Sequence, residues 1–66
     1  MRVQLNGEAK DVRNGLTVEE LVHQLGLSAR RVAVEINRDI VPHEGYTQHA
    51  LCDGDVVEIV QFVGGG

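Results

Sequence analysis

Few side chains in this sequence are placed to do chemistry. The aliphatic hydroxyls are Thr17, Ser28 and Thr47, and no Gly-x-Ser-x-Gly elbow surrounds Ser28 to activate it. Thr17 has a structural use as the cap of a helix. His49 and Cys52 stand at an x-x spacing that suits two metal ligands, with His43 nearby in sequence. Structural zinc usually takes four ligands, so solvated loop imidazoles are the simpler reading and no metal is expected. His23 falls on the polar face of the helix. Cys52, the single cysteine, has no internal disulfide partner; it reads either as an exchanging thiol or as a small inert apolar side chain. Glycines cluster only in Gly64-Gly65-Gly66, with no helix N-terminus behind them to hold a phosphate. An internal active site is not expected.

That leaves the main-chain carboxylate of Gly66. Three extended residues reach about 10 Å, enough to carry a carboxylate clear of a folded domain. Lacking Cβ atoms, Gly64, Gly65 and Gly66 can thread a narrow slot in another protein and take φ values closed to other residues. A C-terminal carboxyl titrates near ~3.5, so at neutral pH it is an anion able to attack an activated phosphate. The alternative is a frayed terminus or a cloning remnant that does nothing.

A domain must hold such a tail, and 66 residues allow one small domain. A chain of this size buries only about 60% of the surface that its unfolded form exposes, too little for a pocket assembled between layers. Hydrophobic residues make up 42% of the chain and 11 of them are Val, which favours a globular, strand-rich fold. The formal charge of −4 argues against nucleic acid. Arg30, Arg31 and Arg38 form one basic cluster around Glu35, whereas Asp53, Asp55 and Glu58 make the C-terminal end acidic and suited to a basic partner. No apolar run approaches the ~20 residues of a membrane span, and no signal-peptide core is present. The expected compartment is the cytoplasm.

Val3 and Leu5 alternate with Arg2 and Gln4 as in a half-buried strand, and Asn6-Gly7 signals a hairpin. A strict two-residue turn sets Lys10 opposite Val3, so a bulge or longer loop is expected before a return strand near residues 9–13, with the register open. Thr17 and Glu20 form a capping box, with Leu16 and Leu21 at the staple positions around it. Val18, Leu21, Val22 and Leu25 share one helix face; Gly26 ends it, with Leu27 folding back on Val22. Val32, Val34 and Ile36 point inward from a third strand, Asn37-Arg38-Asp39 turns the chain, and Ile40-Val41 is a short strand stopped by Pro42. Residues 43–49 read as a polar loop. Leu51 anchors that loop, and Asp53-Gly54-Asp55 turns into a last strand over 56–63. One helix across one face of a mixed sheet is an α+β roll, with residues 1–63 as the domain and 64–66 as a flexible tail.

In that order, several short motifs resemble one family from end to end. They are Asn6-Gly7, Thr17-Val18-Glu19-Glu20-Leu21, Val32-Ala33-Val34-Glu35-Ile36-Asn37, Ile40-Val41-Pro42, Asp53-Gly54-Asp55 and Val63-Gly64-Gly65-Gly66. The chain resembles the ThiS family, the ubiquitin-like, β-grasp sulfur-carrier proteins of thiamin biosynthesis. It departs where His43 stands in place of a basic residue and Tyr46 in place of a tryptophan. The resemblance implies a carrier, not an enzyme, with no bound cofactor. A ThiF-like adenylyltransferase spends ATP with magnesium to convert the Gly66 carboxylate into an acyl-adenylate. Sulfur supplied through a cysteine desulfurase then makes a Gly66 thiocarboxylate, and a ThiG-like thiazole synthase takes the sulfur. Two other readings stay open: a molybdopterin-synthase small subunit with the same tail chemistry, and a β-grasp interaction module with an inert tail.

The last strand also suggests where partners dock. If Val57 and Ile59 face the helix, Val60 and Phe62 face outward, and with Val63 they form the expected docking surface beside the tail. The alternative places Phe62 over an edge of the core.

Overall fold

Asn6 and Gly7 fold the first two strands, β1 (Arg2–Leu5) and β2 (Glu8–Asp11), against each other. Their φ angles are 48° and 86°, the two left-handed residues that a type I′ turn needs. The expected bulge is absent: Val3 pairs with Lys10 and Leu5 with Glu8 in a strict two-residue hairpin. The register is tolerated because β2 is an edge strand with mostly exposed residues. There the half-buried Lys10 can cover apolar surface with its stem while its ammonium stays in water. This computed structural model describes residues 1–62. The expected continuation of the last strand to Val63, the Gly64, Gly65 and Gly66 tail, and the boundary between domain and tail lie outside the described residues.

The helix α1 (Val18–Gln24) is fixed at both ends by its own sequence. Thr17 Oγ1 accepts from the Glu20 N–H at 3.2 Å, and the Glu20 carboxylate accepts from the Thr17 N–H at 2.9 Å. Two further helix-start donors are taken up by a distant loop, Val18 N–H by the His49 carbonyl and Glu19 N–H by that of Tyr46. At the other end Gly26 sits at φ 74°, and the Leu27 and Gly26 N–H groups bond the Val22 and His23 carbonyls, closing a Schellman motif. Val18, Leu21 and Val22 are fully buried and Leu25 is half-buried.

After a 3₁₀ turn at Ala29–Arg31, capped by Ser28, β3 (Val32–Ile36) and β4 (Asp39–Val41) make a second hairpin. Asn37 and Arg38 both have positive φ there. A second 3₁₀ turn (His43–Gly45) opens the connection to β5 (Val56–Gln61). The sheet order is β2-β1-β5-β3-β4, with β5 parallel to β1 and antiparallel to β3. This is the α+β, β-grasp arrangement: the last strand enters the middle of the sheet, and the helix covers one face.

Residues 43–49 are not simply a polar loop. Tyr46 is 1% exposed and belongs to the core with Leu16, Leu21, Val34 and Val57. Its ring stacks on His43 with centroids 4.9 Å apart, and its hydroxyl donates to the Val32 carbonyl at 3.3 Å. Leu51 is buried as expected, and the turn through Gly54 buries Asp55, whose carboxylate accepts from the Cys52 N–H and from Asn37 Nδ2.

Candidate functional site at the root of the tail

The site is built on β5. Val57 and Ile59 face the helix and are buried, while Val60 is 61% and Phe62 52% exposed on the opposite face. The core-edge reading of Phe62 therefore does not hold. Val63, the third expected docking residue, lies outside the described residues.

Side chains as well as ladder bonds hold this strand. Asn6 carries its amide to Ile59, and Asn37 Oδ1 accepts from the Val56 N–H at 3.0 Å on the other flank. Both amides replace backbone partners where the neighbouring strands have turned away. Phe62 N–H donates to the Arg31 carbonyl at 2.7 Å, immediately before the chain passes to Val63, Gly64, Gly65 and Gly66. The root of the tail is thus fixed to the 3₁₀ turn that precedes β3.

The outer face of the sheet carries more than the sequence reading singled out. Ala33 lies opposite Val60, Glu35 opposite Glu58, and Ile40, 74% exposed, opposite Glu35. Val56, 43% exposed, shares the parity of Val60 and Phe62, and that alternation was the signal for it. Glu35 and Glu58 became neighbours only through pairing across 23 residues, which local periodicity does not contain.

The other candidates separate. Arg30 and Arg31 lie beside the tail root, and Arg38 lies in the turn at the far end of β3, so the basic residues are not one cluster. His43 Nε2 lies 2.9 Å from the Val32 carbonyl, engaged with the fold. His49 and Cys52 line one shallow hollow with Asn37, Asp39 and Asp55. Among the described residues, no group of three His, Cys, Asp or Glu is placed to hold a metal ion. Cys52 is exposed. Its N–H caps the Asp55 carboxylate at 2.8 Å.

Among the described residues, the arrangement gathers no acid, base and nucleophile around a pocket. It presents a clamped strand whose outer face carries exposed Val56 and Val60 around Glu58, followed in sequence by a glycine tail. The sequence model of the ThiS family matches residues 3–66, from the first strand through the last glycine. The chain belongs to the ThiS family. It is 43% identical over 65 residues to the sulfur carrier protein ThiS of Bacillus subtilis, covering 97% of this chain and 98% of that one. The crystal structure of the thiamine biosynthesis protein ThiS from Geobacter metallireducens superposes with a TM-score of 0.84 at 35% identity, covering all of both chains. It is also 48% identical over 66 residues to a thiazole synthase of Paramagnetospirillum magneticum; the chain spans 20% of the length of that protein. In that relative a ThiS-like domain and a thiazole synthase share one polypeptide.

Among the described residues, no helix is long and apolar enough to cross a membrane.

Proposed function

We propose that this chain is a sulfur carrier of thiamine biosynthesis, working through the carboxylate of Gly66. The observation that carries the reading is the continuity of the ThiS family match through residue 66, on a chain whose last strand is anchored up to Phe62. The chain is then a protein substrate, not a catalyst.

A carboxylate oxygen is a very poor leaving group, so the Gly66 carbonyl must be activated before sulfur can enter. A ThiF-like adenylyltransferase supplies the activation: the carboxylate attacks the α-phosphorus of magnesium-bound ATP, pyrophosphate leaves, and an acyl-adenylate results. The terminal sulfur of a persulfide, charged through a cysteine desulfurase, attacks the acyl carbon and expels AMP. A thiol then reduces the remaining S–S bond, leaving Gly66 as a thiocarboxylate. Thiazole synthase is the acceptor, a pairing supported by relatives in which the two are joined. The folded domain presents the tail: Gly64 and Gly65, without Cβ atoms, fit a channel that other residues would block.

Intact mass tests the chemistry. After incubation with the adenylyltransferase, ATP, magnesium and the desulfurase system, the chain should gain the mass difference between sulfur and oxygen at Gly66. Growth assays test the pathway. The gene should rescue a sulfur-carrier deletion strain on medium without thiamin and fail to rescue a strain lacking the molybdopterin-synthase small subunit.

A further inference from the structure

We infer that the outer face of the sheet receives a protein that sets a basic side chain between Glu35 and Glu58. The inference rests on the sulfur-carrier reading, since it takes thiazole synthase as that protein. Glu35 and Glu58 are directly opposed on the neighbouring strands β3 and β5. Like charges in that relation destabilise a sheet. The ion pairs among the described residues are Arg2–Asp11 and Arg13–Glu20, and neither involves these two carboxylates.

The flanks of the pair are apolar. Ile40 lies beside Glu35 on β4, Val60 lies one pair nearer the tail, and Phe62 lies beyond it, all exposed. A protein covering Ile40, Val60 and Phe62 takes water from both carboxylates at once. Desolvated carboxylates are either paired or protonated, and a partner that brings positive charge keeps both ionised at neutral pH. An arginine fork suits the position because its several N–H groups can serve two carboxylates together.

Charge also decides between occupants. A second copy of this chain docked face to face would bring four carboxylates together with no cation between them. Thiazole synthase is the better fit, because Val60 and Phe62 lie on and just after the strand that leads to Gly66, and relatives join a ThiS-like domain and thiazole synthase in one polypeptide.

The test uses the full chain with Glu35→Gln and Glu58→Gln, singly and together, titrated against thiazole synthase. The thermal midpoint of the double variant should equal or exceed that of the wild type, because repulsion is relieved. Its affinity should fall by about tenfold or more at low salt. Wild-type binding should weaken as salt rises from roughly 50 to roughly 500 mM, and the double variant should lose most of that dependence. Affinity within about twofold of wild type overturns the inference, as does a fall in midpoint, which would give the carboxylates a structural role. The single variants decide it in the same way if the double variant fails to fold. A dimer of the chain alone on sedimentation, or no wild-type binding to thiazole synthase, also overturns it. The sulfur-carrier reading is judged separately, by whether Gly66 becomes a thiocarboxylate.

Discussion

The side-chain amide of Asn6 holds Ile59 at both of its main-chain polar groups. Asn6 Oδ1 accepts from the Ile59 N–H at 2.9 Å, and Asn6 Nδ2 donates to the Ile59 carbonyl at 3.3 Å. One residue therefore makes the first hairpin turn and also fixes the strand that leads to the tail. Asn6→Gly keeps the positive φ and removes both bonds, each contributing about 0.5–1.5 kcal/mol. Urea denaturation should register that loss, and the Ile59 amide should exchange faster with solvent. Unchanged stability and exchange would mean that the clamp contributes nothing.

Leu21 joins the helix to the sheet from a fully buried position. Leu21→Ala should cost about 2–5 kcal/mol, a large share of what a small domain possesses. A loss below about 1 kcal/mol in chemical denaturation would contradict the packing described.

The cap of the same helix sets an acid dependence. The Thr17 N–H, together with Arg13 at 2.8 Å, holds the Glu20 carboxyl below the ordinary value of 4.5. A hydrogen bond from Arg2 likewise holds Asp11 below 3.8. Both folded-state values lie below the unfolded ones. Their stabilisation is therefore complete above the ordinary carboxyl values and is lost as pH falls through the folded ones. Both groups are exposed, so the effect is small. In urea titrations, the stability difference between wild type and Glu20→Gln should be widest near neutrality and should narrow as pH drops below 4.5. A difference that does not change with pH would contradict the capping account.

Legibility in the sequence tracks the range of the interactions. The capping box, helix face and Schellman stop each join residues within a few positions, and all of them are present. The expected bulge fails because Val3 opposite Lys10 reads as a conflict in the sequence, where the register stays open; only the sheet order reveals that β2 is an edge. Tyr46 is hidden in a polar stretch, since partners such as the Val32 carbonyl and the Glu19 N–H lie far from it in sequence. The Asn6 clamp spans 53 residues, beyond any local pattern. The inward and outward alternation of the last strand was legible, and the carboxylate pair it helps to form was not.

Docking through that alternation is testable at Phe62. Its ring is 52% exposed, so Phe62→Ala should cost about 1 kcal/mol of folding stability and leave the protein folded. Affinity for the adenylyltransferase should fall in the same variant. A folded Phe62→Ala protein that binds as tightly as the wild type would remove Phe62 from the docking surface.

The central claim is that function resides in the carboxylate of Gly66. Deleting Gly66 shortens the reach by about 3.5 Å, where reacting groups tolerate errors of about 1 Å. Adding one residue replaces the carboxylate of Gly66 with a peptide amide. The direct measurement is ATP–pyrophosphate exchange with the adenylyltransferase for both variants, with intact mass confirming that neither is trimmed. Both should lose exchange while their folding curves match the wild type. Exchange at the wild-type rate by either variant would contradict the sulfur-carrier account.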